Sequence, residues 1–417
     1  MEVEMNGAQK IMRRIEALAK ISDERGKITR LFASPAMRRA NRLVAQWMRA
    51  AGMKTRVDAI GNLIGHDDGE TASAKILLLG SHLDTVRNAG KFDGPLGVLL
   101  ALAAVENLRR KKIKPPFAIE VVGFADEEGA RFQTAYLGSK TLAGCFDPKD
   151  LRRQDANGIT MAEAIKSFGG DPAKIKSAKL DPQKLLGYVE AHIEQGPVLE
   201  NKNLAVGLVS AIAGQTRARV SFLGRASHAG TTPMNLRKDA LCAAAEFILA
   251  AENLARKTPG LVATVGEISA KPGASNVVPA AANLSLDLRH AKDSARKSAH
   301  QRLKQTAFEI AARRKLKLDG EVVQETAAVR CSENFSRLLG QAVKRRQKKR
   351  VQLPSGAGHD AAVMAKICPA AMLFIRCKNG VSHHPGESVK IGDVKIALAV
   401  MDDFLQSLAE KYRQTAG

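Results

Sequence analysis

The sequence predicts an α/β protein: a mixed sheet flanked by helices, carried by two separated stretches of chain, with a smaller ferredoxin-like α+β domain inserted between them. Three observations predict it. Apolar runs at 76–79 and 118–124 read as buried strands joined by a helical pattern, the βαβ unit of a sheet covered on its faces. From residue 216 to 326 the order is β-α-β-β-α-β, the split-βαβ pattern, after which the helix-and-strand pattern of the first part resumes. At 417 residues the chain exceeds what one hydrophobic core usually supports. The expected division is 1–212 and 328–417 for the larger domain, and 213–327 for the insert.

A helical period covers residues 8–30. Ser34 is a candidate N-cap with Pro35 at the first helical position, opening a helix that runs to Ala51 and stops at Gly52. Residues 53–64 alternate as a strand pair around Gly61-Asn62. The βαβ segment follows. From 134 to 184 the period weakens and Asp147-Pro148 and Asp181-Pro182 mark loops, a region expected to cover one side of the site. Residues 185–190 form a strand leading to His192, and 206–212 form another. In the insert, 216–223, 262–269, 283–289 and 315–326 read as strands, and 239–257 and 295–314 as helices. The chain has no internal repeat and no low-complexity segment.

Composition is ordinary for a globular protein, 45% hydrophobic and 26% charged. No apolar run nears the ~20 residues that span a bilayer. The first residues lack the apolar core of a signal peptide. No membrane partner and a cytoplasmic location are therefore expected. The five cysteines are scattered without a C-x-x-C pair. This argues against a disulfide framework or a thiolate zinc site, and each is read as a buried reduced thiol. The net charge of +23 raises nucleic acid as a partner. However, basic residues are spread along the whole chain, and aromatics are only 4%, too few for a base-stacking platform. A solvated basic surface that steers anionic substrates is expected instead. The rival, an anionic-polymer binder, predicts DNA binding that weakens steeply with salt in a protein without metal.

Six of the nine histidines fall in short polar motifs. His82-x-Asp84 ends the first buried strand, Asp93 sits in a Phe-Asp-Gly-Pro-Leu-Gly turn, and Asp126-Glu127-Glu128-Gly129 ends the second strand. In open α/β sheets, sites lie outside the carboxyl ends of strands. His82, His192 and His383 offer imidazole nitrogens, and Asp93 and Glu128 offer carboxylates. Five ligands with one carboxylate shared suit two divalent cations about 3.5–4 Å apart. Imidazole and carboxylate without thiolate fit Zn²⁺, and also Mn²⁺, Co²⁺ or Ni²⁺. Asp84 is placed to hold the other imidazole nitrogen of His82. Glu127 and Glu128 are adjacent, so they are expected to point apart. One then ligates, while the other takes a proton from an attacking water and hands it to a leaving nitrogen. In the insert, His228 could donate to a developing oxyanion, and Arg289 could clamp a carboxylate in bidentate fashion. Spacing alone reads these equally well as a turn histidine and a surface arginine, and Asn276 as a loop residue.

The segments Gly80-Ser-His-Leu-Asp-Thr-Val86, Phe92-Asp-Gly-Pro-Leu-Gly97, Asp126-Glu-Glu-Gly-Ala-Arg-Phe132, His192-Ile-Glu-Gln-Gly-Pro197, Ser227-His-Ala-Gly-Thr-Thr-Pro-Met234, Ser355-Gly-Ala-Gly-His-Asp-Ala361 and Ser382-His-His-Pro385 together resemble the hydantoinase/carbamoylase branch of the M20 metallopeptidase-like amidohydrolases. This branch includes N-carbamoyl-L-amino acid hydrolases and allantoate amidohydrolases. M20 peptidases generally place a carboxylate where this chain has His192, so the His192 motif looks like the amidohydrolase branch. The resemblance implies a metal-dependent exopeptidase-like catalytic domain whose insert is a lid and dimerisation domain. It implies His82, Asp93 and His192 on one metal, Asp93, Glu128 and His383 on the other, and Glu127 as general base. Gln215, Arg217, His228, Asn276, Arg289, Gly358 and His359 match substrate-binding positions, with His228 and Asn276 serving the partner's site in a homodimer. The implied reaction is hydrolysis of a carbamoyl C–N bond on a small carboxylate substrate, an N-carbamoyl-L-amino acid or allantoate. A dipeptidase or aminoacylase is the remoter rival.

Overall fold

The computed structural model describes residues 6–71 and 73–416. The chain divides into two compact units, Met1–Ser210 with Cys331–Leu353 and Gly358–Gly417, and Ala211–Arg330 with Pro354–Ala357. In chain order the first unit opens with α1 (Gly7–Ala19), α2 (Pro35–Ala50), β1 (Lys54–Val57), β2 (Leu63–Asp67), β3 (Ile76–His82), α3 (Pro95–Arg110) and β4 (Ala118–Phe124). It continues with α4 (Leu137–Leu142), α5 (Met161–Phe168), β5 (Leu185–Ile193), α6 (Val198–Asn201) and β6 (Val206–Ile212). The second unit holds β7 (Gly214–Leu223), β8 (Ser227–His228), α7 (Ala240–Lys257), β9 (Val262–Thr264), β10 (Ile268–Lys271), β11 (Val277–Val278), β12 (Ala281–His290), α8 (Asp293–Arg313), β13 (Lys317–Thr326) and β14 (Val329–Arg330). Then come α9 (Glu333–Arg346), β15 (Gln352–Ser355), α10 (Asp360–Met364), β16 (Ala370–Ile375) and α11 (Ile391–Ala416).

The sheet of the first unit runs β1-β2-β4-β3-β5-β16-β6. Its centre is parallel, β4 with β3, β3 with β5 and β5 with β16. Parallel strands must be covered on both faces, and β4 and β16 are buried at every residue. α3 is buried over Pro95–Val105, so it carries no polar stripe and lies inside the core with α1, α2, α9 and α11 around it. A smaller core around Phe32, Ile60, Phe132, Met161 and Ile165 lies under α4 and α5. In the second unit an antiparallel sheet runs β10-β12-β7-β13, with β9 beside β12. β12 alternates between half-buried and buried along its length, and Phe222, Phe247, Leu286 and Leu303 fill the core against α7 and α8.

Several elements differ from the sequence expectation. The helix expected over 8–30 ends at Ala19. There the Ser22 hydroxyl accepts from Glu24 and Thr29 N–H, a local turn that competes with the helix. The buried Arg30 guanidinium then pins the segment to the carbonyls of Leu18 and Leu83. The region 134–184 contains two helices, and α5 opens with a Thr160/Glu163 capping box. The strand expected over 262–269 breaks into β9 and β10, both paired to β12. Cys368 and Cys377 are buried, but Cys145 and Cys242 are exposed.

Candidate metal centre

His82 is the last residue of β3, and Glu127 and Glu128 follow β4 by three and four residues. His192 is the penultimate residue of β5, and Asp93 immediately precedes Gly94, the N-cap of α3. Gly94 has φ 82°, and a Cβ there would lie 2.5 Å from the His82 ring. Only glycine lets α3 start this close to the imidazole. Parallel strands thus deliver His82, His192 and the Glu127-Glu128 pair to one end of the sheet, where the helix start adds Asp93.

The ligand atoms of His82, Asp93 and His192 lie within 4.8 Å of one another, as do those of Asp93, Glu128 and His383, and of His82, Glu127 and Glu128. His192 Nε2 is 3.1 Å and His82 Nε2 3.5 Å from Asp93 Oδ1. His383 Nε2 is 3.4 Å from Asp93 Oδ2 and 3.3 Å from Glu128 Oε1. Asp93 Oδ1 is buried and accepts no hydrogen bond. Bonds of about 2.0–2.2 Å to nitrogen and oxygen put neighbouring ligand atoms roughly 3–4 Å apart. The donor spacing and the orphaned oxygen therefore fit a divalent cation.

The charged groups of the cluster act strongly on one another. Burial works against an ionised Asp93, but the positive imidazoles of His192 and His82 outweigh it and hold its carboxyl well below the usual range. Burial likewise opposes a charged His82, yet Asp84 and Asp93 raise it. Burial drives Glu127 well above the usual carboxylate range, with Glu128, Asp360 and Asp84 adding to it against His82. His359 is pushed well down by burial and by His192.

One detail corrects the expectation and a second refines it. Glu127 and Glu128 do not diverge, since both reach the His82 ligand atom. Strand β4 ends at Phe124, so strand alternation no longer governs residues 127 and 128. Asp84 meets His82 Nδ1 at 3.1 Å through its carbonyl oxygen, while its carboxylate Oδ1 is 3.4 Å away. The carboxylate instead accepts the N–H of Glu127 at 3.0 Å and of Glu128 at 3.2 Å. It fixes the pair to the end of β3.

The structure adds residues that spacing did not single out. Gln195 Nε2 donates to Asp93 Oδ2 at 2.8 Å, and Ser382 Oγ donates to the same oxygen. Glu387 Oε1 accepts Phe92 N–H at 2.6 Å and Asp93 N–H at 3.1 Å. Burial and the neighbouring Asp93 raise Glu387 to about 7. Gln195 and His383 both sit at left-handed φ, 55° and 56°, where strain collects at functional sites. All three added residues lie in or beside the motifs already quoted, so the signal was present. Their partners, one to three hundred residues away, were not legible. His384 stays outside the cluster, its Nδ1 taken by Gly386 N–H at 3.0 Å.

The remaining candidates divide between the units. Gly358 packs against Tyr136, whose Oη would lie 1.9 Å from any Cβ. His359 is 1% exposed, with its ring edge-on to His192. In the second unit, Arg289 meets Asp287 through Nε and Nη2 at 2.9 Å each and reaches Gly356 O through Nη1 at 2.7 Å. Gln215 and Arg217 also bond Asp287, at 2.6 and 3.3 Å. The arginine fork is thus oriented by a carboxylate of its own strand. His228 Nδ1 accepts Gly230 and Thr231 N–H at 3.1 and 3.2 Å, which leaves the proton of the neutral ring on Nε2. Asn276 lies on the exposed turn beside it.

Fold and cluster define the class: a mixed α/β protein with a candidate metal centre at its strand ends. The chain belongs to peptidase family M20/M25/M40, whose model matches residues 78–407. It is 41% identical over 403 residues to an N-carbamoyl-L-amino acid amidohydrolase of Geobacillus stearothermophilus, a match covering 96% of this chain and 98% of that one. It is 39% identical over 429 residues to allantoate deiminase 2 of Glycine max, covering 95% and 88%. The fold is similar to that of a hydantoinase/carbamoylase family amidase from Burkholderia multivorans, with a TM-score of 0.91 at 30% identity over 96% of this chain and 98% of that one. These relatives are the branch that the motifs resemble.

Proposed function

We propose that the protein is a dinuclear-metal amidohydrolase. It would cleave the carbamoyl C–N bond of a small carboxylate-bearing substrate, an N-carbamoyl-L-amino acid, with water, releasing ammonia, CO₂ and the free amino acid. The observation that carries this reading is the orphaned Asp93 Oδ1 facing two buried imidazoles, with Glu127 beside them. His82, Asp93 and His192 would hold one cation, and Asp93, Glu128 and His383 the other. Bound divalent cations, Zn²⁺ first among them, supply Lewis acidity toward a carbonyl oxygen and toward water.

The chain's own groups do the rest. Glu127 takes a proton from the attacking water at its carboxylate and returns it to the leaving nitrogen, and its burial makes it a stronger base than a surface carboxylate. His228 donates its Nε2–H to the oxyanion. Arg289, oriented by Asp287, receives the substrate carboxylate, and Gln215, Arg217, Asn276, Gly358 and His359 complete the contacts.

The division into 1–212, 213–327 and 328–417 then has a catalytic domain in two pieces and a ferredoxin-like insert serving as lid and dimer contact in a cytoplasmic homodimer. The contiguous part of the second unit supports the dimer: it carries ten of the fourteen exposed large apolar side chains among the described residues, Phe308, Val322 and Val323 included. Its edge strand β13 is exposed at nearly every position. His228 and Asn276 would act across the dimer on the partner's site, and closure of the lid would exclude water.

Ammonia release is the test. The apoprotein, refilled with Zn²⁺, Mn²⁺, Co²⁺ or Ni²⁺, is assayed on N-carbamoyl-L-amino acids, allantoate, N-acyl-amino acids and dipeptides. Ammonia from the carbamoyl compounds is expected, and amino-acid release from acylated substrates alone would overturn the reading. Allantoate is the second reading, favoured by the similarity to allantoate deiminase 2. Faster ammonia release from allantoate would select it.

A further inference from the structure

Glu190 lies on β5 two residues before His192, with no exposed surface, and no role falls to it in the reaction proposed above. β3 and β5 pair in parallel register from Ile76↔Leu185 to Leu79↔Val189. The pairing ends there, three residues short of His82 and His192. Beyond that point side chains join the strands. Tyr188 Oη donates to the Gly80 carbonyl at 3.0 Å, and Ser81 Oγ donates to Glu190 Oε1 at 2.8 Å. A main-chain ladder continued to the strand ends would hold the backbones at the usual spacing of about 4.8 Å. With the side-chain link, the two imidazole rings stand 5.7 Å apart between centroids, inclined by 29°. The other oxygen, Glu190 Oε2, accepts the N–H of Ala361 at 3.0 Å, just after His359-Asp360. The His359 ring lies 4.5 Å from that of His192.

One fully buried carboxylate therefore ties together the segments carrying His82, His192 and His359. An apolar side chain of the same size would fill the space. It would also leave a buried hydroxyl and a buried N–H without an acceptor. The rival role is direct ligation, because Glu190, His192 and His359 also bring ligand atoms within 4.8 Å of one another. Against it, both carboxylate oxygens already accept protein donors.

We infer that Glu190 is a positioning residue: through Ser81 and Ala361 it sets the separation of His82 and His192, and so the grip of that pair on a divalent cation. The inference rests on the metal-centre reading above. Its test uses the full chain stripped of metal and titrated with Co²⁺, reading affinity by chelator competition and coordination geometry by the visible d–d bands. Removing a partner that orients ligands typically costs 10–100-fold in metal affinity. Ser81→Ala and Glu190→Gln are expected to lose about 10–100-fold in Co²⁺ affinity and to alter the d–d intensity, with unchanged circular dichroism. If Glu190→Gln does not fold, Ser81→Ala carries the test alone. Parental affinity and spectrum in folded Ser81→Ala would overturn the inference. So would loss of bound Co²⁺ in Glu190→Gln beside a parental Ser81→Ala, since Glu190 would then be a ligand. His192→Ala separates the two levels: parental Co²⁺ binding in that variant means the metal reading itself fails, whatever Glu190 does.

Discussion

His82, Asp93 and His192 are at most 4% exposed. Asp93 accepts from Gln195 and Ser382 and donates its N–H to Glu387, all more than a hundred residues away, while His82 and His192 each rest a ring nitrogen on a carbonyl of their own strand end. In the second unit, His228, Asn276 and Arg217 are exposed; His228 is bonded within its own turn and Arg217 to Asp287 on the neighbouring strand. The first group is buried and hydrogen-bonded in place. The second group is open to solvent and to an arriving molecule. A cation tolerates little ligand displacement, whereas a flexible organic substrate can be met by residues that close around it. Under the proposed function, chemistry falls to the buried group and recognition to the exposed one.

The comparison breaks first at Glu127. Glu127→Gln is expected to lower kcat roughly 10²–10⁴-fold while retaining metal. Near-parental turnover would remove Glu127 as the base. Next, His383→Ala is expected to bind one cation fewer per chain by elemental analysis. Unchanged stoichiometry would refute that ligand. Arg289→Ala tests the recognition side: KM for carboxylate substrates is expected to rise about 10–100-fold at unchanged metal content, the loss of a charge-assisted pair. An unchanged KM would place carboxylate recognition elsewhere.

Mixing His228→Ala with Glu127→Gln chains asks whether the exposed group serves its own subunit. Recovery of about a quarter of parental activity is expected for a twofold dimer with sites shared across it. No recovery would make His228 act within its own chain.

The smallest effect lies away from both regions. Burial raises Asp402 to about 6, with Oδ2 bound by Asn107 Nδ2 at 2.8 Å and Oδ1 buried without a partner. The native state therefore holds this proton more tightly than the unfolded chain. Its contribution is fully present below about pH 4 and is lost as pH rises through about 6. Asp402→Asn is accordingly expected to raise Tm by about 1–3 °C at pH 8 and to leave it unchanged at pH 4. An equal effect at both pH values would refute the buried-charge account.

Much of this molecule was legible in its sequence. The strands leading to His82 and His192 and the turn at Asp93 rest on period, punctuation and residue type. These are local signals, set by backbone sterics and by which face of an element is apolar. The sequence likewise supplied Glu127 and Glu128 as a pair, but not their shared direction, because strand geometry ends at Phe124 and a turn takes over. Only the tertiary structure decided that Glu387 would hold the Asp93 turn from 294 residues away, that Asp84 would bind the backbone of Glu127 and Glu128, and that Glu190 would link β3 to β5 where their ladder stops. The physical reason is common to all three. A buried carboxylate must find donors wherever packing brings them, and sequence spacing carries no record of which donors those are.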